Sequence, residues 1–213
     1  CKRRVPRSVV DARPVTEPVA IGVVGGGQLA LMLAAAARKL NVPLHVLTPG
    51  AQDPATALAS SVVLAELDDV AATRQLARRS GAITFENEWV DLSALAPLSF
   101  DGVVFLPSLE ALAPLVSKRG QRQLLQDLGL PCPRWCDLPS SALLPEGFNY
   151  PLMAKACTGG YDGKGTAVLR SPEDLTALLA RVPQGDWILE EFVNFEQELS
   201  QLACRDRAGN VQC

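Results

Sequence analysis

The chain has 213 residues, 48% of them hydrophobic and 20% charged, with a formal net charge of −3. That length suits one large domain or two small ones, and the composition implies a packed core rather than disorder. The acidic balance and the lack of a basic stripe argue against a nucleic-acid partner, and no apolar run reaches the roughly 18 residues of a membrane span.

Residues 1–18 are basic and contain prolines but no hydrophobic segment of the kind a secretory signal needs. They read as a flexible arm, or as part of a piece cut from a longer reading frame; the non-Met first residue supports the second option. Residues 19–24 are an apolar, β-branched run followed at once by Gly25-Gly26-Gly27-Gln28 and then by an Ala- and Leu-rich stretch over 30–40. Strand, glycine turn and buried helix open a βαβ unit. Residues 43–48 and 61–65 read as further strands. An amphipathic helix is expected over 70–80, with Asp68 and Asp69 at its N-terminus. A fourth strand over 82–85, a short helix over 90–98 and a fifth strand over 102–106 complete the pattern. Strands alternating with helices predict an α/β fold with a parallel, doubly wound sheet over 19–107.

Residues 108–128 read as helical, with a break near Pro114 and a C′ glycine at Gly129; Pro131 and Pro133 prevent continuation. Residues 134–150 are loop-rich. Beyond them the spacing predicts strand 151–156, a glycine loop, strand 166–170, helix 172–182 capped by Ser171, and strand 187–193. A last strand over 198–205 leads to a hairpin turn at 206–209 and the start of another strand. The resulting division is an arm (1–18), an α/β domain (19–107), a helical connector (108–149) and a C-terminal region (150–213). The six cysteines contain no C-x-x-C pair and the chain has one histidine, so a metal or disulfide framework is not expected. Reduced thiols of a cytoplasmic protein are.

Thr158-Gly159-Gly160-Tyr161-Asp162-Gly163-Lys164-Gly165 is the densest chemical signal. Successive backbone N–H groups in such a loop form an anion-binding concavity, and Lys155 and Lys164 add charge suited to a polyphosphate. A solvated Asp-Gly hairpin turn satisfies the same pattern. The Gly25-Gly26-Gly27 turn aims N–H groups from a helix N-terminus into the crevice above the strands, which favours a phosphate. It lacks the third glycine and the ribose carboxylate of a dinucleotide fingerprint. Glu86 and Glu88 lie at the C-terminal end of the fourth strand, where open α/β sheets bind ligands; a solvated loop, or acidic residues at a helix N-terminus, are the other readings.

Together these residues resemble the ATP-grasp family of N5-carboxyaminoimidazole ribonucleotide synthetases. The match rests on Gly25 to Leu29, Thr84-Phe85-Glu86-Asn87-Glu88-Trp89-Val90-Asp91, Gln121-Arg122-Gln123-Leu124-Leu125, Leu128-Gly129-Leu130-Pro131, Gly159 to Gly165 and Glu190-Glu191-Phe192-Val193-Asn194-Phe195. The wording is most similar to cyanobacterial members. The resemblance implies a pre-ATP-grasp domain followed by an incomplete ATP-grasp domain. It also implies ATP-dependent carboxylation of 5-aminoimidazole ribonucleotide by bicarbonate, through carboxyphosphate, in purine biosynthesis.

By the same resemblance, Lys118 and Lys155 contact nucleotide phosphates, with Gly160, Tyr161, Asp162, Gly163, Lys164, Gly165 and Thr166 as a lid. Glu190, Glu191, Phe192 and Val193 meet the adenine edge and Glu198 the ribose. Tyr161, Asp162 and Lys164 are the expected catalytic group. Glu86, Gly26, Gly27 and Gln28 are expected on the ribonucleotide side. Lys118 stands where the family often has arginine, which keeps the charge but loses the bidentate fork. The family's Mg²⁺ ligands lie in a later subdomain, so no metal ligand is assigned; the chain is expected to be a fragment, inactive alone, and full-length members to be homodimers. Two alternatives stay open: a non-catalytic nucleotide-binding remnant, and another ATP-grasp carboxyl- or formyl-activating ligase.

Overall fold

The computed structural model describes residues 19–88, 90–159, 165–183, 185–206 and 208–213. The chain divides into two compact units between Gln121 and Arg122. No helix among the described residues is long and apolar enough to cross a membrane.

The first unit runs β1 (Ile21–Val24), α1 (Gln28–Lys39), β2 (Leu44–Thr48), a 3₁₀ turn (Pro54–Ala57), β3 (Ser61–Leu64), α2 (Val70–Ala77), β4 (Ala82–Phe85), α3 (Leu92–Phe100) and α4 (Leu109–Leu112). Its four strands form a parallel sheet in the order β3-β2-β1-β4. Successive residues of a strand face opposite ways, and the cores follow that rule. Val23 and Val46 pack with Ala30, Ala34 and Ala37 of α1 on one face. Val24, Leu47 and Ile83 pack with Leu76 of α2 and with Leu95 and Leu98 of α3 on the other. The sheet is therefore doubly wound, as its sequence pattern predicts.

The expected fifth strand reduces to one step. Phe105 bridges Ile83 in parallel, through Ile83 N–H to Val104 O at 2.8 Å and Leu106 N–H to Ile83 O at 2.8 Å. Gly102 in the left-handed region (φ 90°) turns the chain just before it. Pro107, which has no N–H, ends it. The third helix begins at Leu92 because Asp91 caps it, accepting from the N–H groups of Ser93 and Ala94 at 3.0 Å each.

α5 (Lys118–Asp127) spans the division, and the second unit adds β5 (Trp135–Asp137), β6 (Leu152–Ala156), β7 (Thr166–Leu169), α6 (Pro172–Leu179), β8 (Trp187–Glu191), β9 (Cys204–Arg205) and β10 (Val211–Gln212). An antiparallel sheet of order β5-β8-β6-β7 buries Leu152, Ala154, Leu169 and Leu189 against Leu175 and Leu178 of α6. β5 lies within the stretch expected to be loop-rich; three residues are too few to show a periodicity. Of the strand expected over 198–205, only Cys204 and Arg205 pair, with Val211 and Gln212. Asp206 closes that hairpin by accepting from Asn210 N–H at 2.8 Å.

Gly22 is where the first unit tolerates least. A Cβ there would stand 2.5 Å from Ile83 Cδ1, 2.8 Å from Ser80 Oγ and 2.9 Å from Leu76 Cγ. Gly22→Ala overpacks the junction of β1, β4 and α2. Urea titration should show it destabilised by about 1–3 kcal/mol; an unchanged midpoint would contradict this packing.

Candidate functional site

In the second unit, parity along β6 and β8 separates core from site. Leu152 and Ala154 enter the core, so Met153 and Lys155 project from the opposite face. Across the ladder Met153 pairs with Glu190 and Lys155 with Ile188, which puts Glu190 on that same face. The Glu190 side chain is only 2% exposed. Its Oε1 accepts from Arg122 Nε at 2.5 Å and its Oε2 from Lys155 Nζ at 2.7 Å. Burial of the carboxylate is the largest influence on its pKa and pushes upward. The hydrogen bonds and charges of Arg122 and Lys155 together outweigh it and hold Glu190 below the usual carboxylate value. Formal charges of one carboxylate and two cations leave a surplus of one positive charge.

This cluster lines a cavity of about 190 Å³, with Met153, Pro133, Phe192, Val193 and Phe195 as apolar walls and Glu191 at its edge. A small apolar slot with a cation at its side suits a planar base joined to an anion. Glu191 faces the other way in the ladder. Its Oε1 accepts from Arg134 Nη2 at 2.6 Å and Nε at 3.0 Å, and Arg134 also donates to Gly147 O at 2.7 Å. The Arg134 guanidinium lies 5.2 Å from the centre of the Phe148 ring. Glu191 is thereby engaged in holding the segment before β5.

In the first unit the C-terminal ends of β1 and β4 lie side by side, with Glu86 N–H donating to Val24 O at 2.9 Å. Gly27, the N-cap of α1, has no side chain to satisfy the helix's first N–H groups. The Glu86 carboxylate does so instead, accepting from Gly27 N–H at 2.8 Å, Leu29 N–H at 3.1 Å and Ala30 N–H at 3.2 Å. Gly25, at φ 118°, makes the turn. A Cβ on Gly25 or Gly27 would fall 2.5–2.6 Å from Glu86 atoms. The helix N-terminus that the sequence offers to a phosphate therefore receives a carboxylate from the same chain. Glu86 also lines a cleft of about 410 Å³ with Phe85, Asn87, Glu88, Pro107 and Gln121.

The structure thus gathers Lys155, Glu190, Phe192 and Val193 around one cavity, with Glu191 at its edge, and places Glu86 against the turn containing Gly26 and Gly27, with Gln28 exposed beside it. Lys118 opens α5 in the first unit, Thr166 opens β7, and exposed Glu198 lies in irregular chain; none of the three lines either cavity. Gly165 is in the left-handed region (φ 77°), and its carbonyl accepts from Ala156 N–H at 2.7 Å. Gly160, Tyr161, Asp162, Gly163 and Lys164 lie outside the described residues. Sequence reasoning assigned no role to Arg122. The available signal was its position one helical turn beyond Lys118.

A carboxylate held below its ordinary value adds stability that is present above the unfolded value of 4.5 and is lost as pH falls through the lowered native value. Glu190→Gln should cost about 1.5–3 kcal/mol near pH 7. Its deficit against the parent chain should shrink on acidification below that value. A deficit that stays constant with pH, followed by denaturant unfolding, would show that the ion cluster is not its source.

Two families of known domains match the sequence: a ribonucleotide synthetase preATP-grasp domain over residues 19–114 and an ATP-grasp domain over residues 123–213. The chain is 47% identical over 198 residues to the N5-carboxyaminoimidazole ribonucleotide synthase of Synechocystis sp., covering 92% of itself and 50% of that protein. It superposes with a TM-score of 0.82 and 29% identity on an ADP complex of N5-carboxyaminoimidazole ribonucleotide synthetase, covering 94% of itself and 54% of that chain. The Aspergillus clavatus N5-carboxyaminoimidazole synthase complexed with ADP and 5-aminoimidazole ribonucleotide gives a TM-score of 0.74 at 27% identity, over 84% of this chain and 48% of that one. The chain spans about half the length of the curated relatives it matches. The two domain matches follow one another along nearly the whole chain, a preATP-grasp domain and then an ATP-grasp domain, and over that length the chain is similar to N5-carboxyaminoimidazole ribonucleotide synthases.

Proposed function

We propose that the protein takes part in ATP-dependent carboxylation of 5-aminoimidazole ribonucleotide by bicarbonate, and that this chain supplies the nucleotide site. The supporting observation is the Arg122–Glu190–Lys155 cluster beside an apolar cavity: one cation in excess, next to walls suited to a flat base. The ADP and aminoimidazole ribonucleotide carried by the solved relatives agree with that reading.

In the reaction, a bicarbonate oxygen attacks the γ-phosphorus and ADP leaves, giving carboxyphosphate. The exocyclic amine of the ribonucleotide then attacks the carboxyl carbon. The new N–C bond forms as the C–O bond to phosphate breaks, and the amine gives up a proton. Such phosphoryl transfer depends on positioning and on neutralising charge. Lys155 takes the phosphate side, and on the family pattern Lys118 and residues 160–166 are assigned to the same nucleotide phosphates. The Glu190 to Val193 edge meets adenine and Glu198 the ribose. Tyr161, Asp162, Lys164 and Glu86 act toward the second substrate, and Gly26, Gly27 and Gln28 shape the crevice beside it, since Glu86 already fills the helix N-terminus.

Mg²⁺ belongs to the family's chemistry, but the acidic side chains at this cavity do not fit its oxygen shell. Glu190 is bound by Arg122 and Lys155, and Glu191 by Arg134; no cluster of three or more His, Cys, Asp or Glu forms among the described residues. A cytoplasmic setting is part of the proposal, supported by Cys132, Cys136, Cys204 and Cys213 being thiols. So is self-association of the full-length protein, for which exposed Leu29, Met32 and Leu33 of α1 provide an apolar face.

Calorimetric titration with ADP tests the nucleotide site directly. The parent chain should bind, and Lys155→Met should weaken binding about 10-fold or more through the lost charge-assisted contact. Equal affinity of parent and variant would sink the assignment of Lys155. For the full-length protein, ATP hydrolysis should require both bicarbonate and the ribonucleotide.

A further inference from the structure

The nucleotide reading gives work to Lys155 and Glu190 and leaves Arg122 with none. Yet Arg122 is the more deeply held of the two cations, its side chain 16% exposed against 24% for Lys155. The two do not share an oxygen: Arg122 is on Oε1 and Lys155 on Oε2, so either can leave without breaking the other's bond. They also differ in what they can do. A guanidinium is planar and permanently charged, whereas an ammonium is a point charge on a flexible four-carbon stem. The cluster's surplus charge is therefore most readily delivered by Lys155.

Once Lys155 turns to a phosphate, Glu190 at 2% exposure needs another cation to remain charged. Among the described residues, the charged ones lining the cavity are Arg122, Lys155, Glu190 and Glu191, and Glu191 is occupied by Arg134. Arg122 is the lining cation that stays. We propose that Arg122 is a positioning residue of this site, whose guanidinium fixes the Glu190 carboxylate while Lys155 turns away to a bound phosphate. Oε2 is then free to accept from a donor on the bound base, and the remaining pair is neutral. The phosphate in this step rests on the nucleotide reading; the pairing itself belongs to the free protein.

Carbon-13 NMR of the full chain labelled at glutamate carboxyls tests it, with the Glu190 signal identified by its loss in Glu190→Gln. Lys155→Met imitates the departure of Lys155, and Glu190 should remain ionised at pH 7 in that variant. In Arg122→Gln combined with Lys155→Met it should titrate about 2 or more pH units higher, the direction burial imposes on an unpaired carboxyl. Arg122→Lys in the same background should restore the low titration, a rescue that a purely structural role would not produce. Should the double variant not fold, Arg122→Gln alone supplies a second readout. ADP binding, followed calorimetrically in two buffers of different ionisation enthalpy, should then take up about one proton that the parent does not.

Protonation of Glu190 at pH 7 in Lys155→Met overturns the proposal. So does an ionised Glu190 in the double variant, or ADP binding by Arg122→Gln with parent affinity and no proton uptake. Failure of the parent chain to bind ADP counts against the nucleotide reading alone, and the Lys155→Met titration still decides the role of Arg122.

Discussion

A buried carboxylate between two cations governs the second unit. Glu190 sits in the central strand pair of an antiparallel sheet, and its ionised form is tolerable only because Arg122 and Lys155 each bind a separate oxygen. That requirement orients three elements at once: β8 presents the carboxylate, β6 aims Lys155 at it, and α5 is tied down through Arg122. The apolar walls depend on the same strand parity. Met153 faces the cavity because Leu152 and Ala154 face the core. Site and core are two sides of one ladder.

The first unit solves a related problem with the charges reversed. Helix α1 begins at a glycine with no capping side chain, so its positive N-terminus calls for an external anion. Glu86 provides it across the β1–β4 pair, and the glycine turn leaves room for the carboxylate. The same residue lines the larger cleft at the carboxyl end of the sheet, where open α/β folds hold ligands. Glu86 therefore joins the helix start to the cleft wall. A second substrate in that cleft would meet a carboxylate already committed to three N–H groups.

Local signals made most of this architecture legible. The strand–glycine–helix opening, the Asp69 and Ser171 caps and the Gly129 helix end all appear where sequence chemistry puts them, because each depends on neighbours within a few residues. Cross-chain effects did not show. β5 is three residues long and exists only because β8 offers it an edge. The segment after Leu98 has apolar character but contributes one bridge to β4, since Pro107 cuts the ladder. At the site, alternation was enough to put Lys155 and Glu190 on one face. Arg122 joins them across 68 positions of sequence, which no periodicity encodes.

The Glu86 cap also bears on how the first unit assembles. A helix capped by its own preceding side chain can complete its first turn locally. α1 instead receives its cap from 56 to 59 residues further along the chain. That cap is thus in place only where β4 lies beside β1, in the same arrangement that shapes the cleft's glycine rim. Hydrogen exchange at Gly27, Leu29 and Ala30 accordingly reports the attachment of a distant strand rather than the stability of the helix that carries those amides.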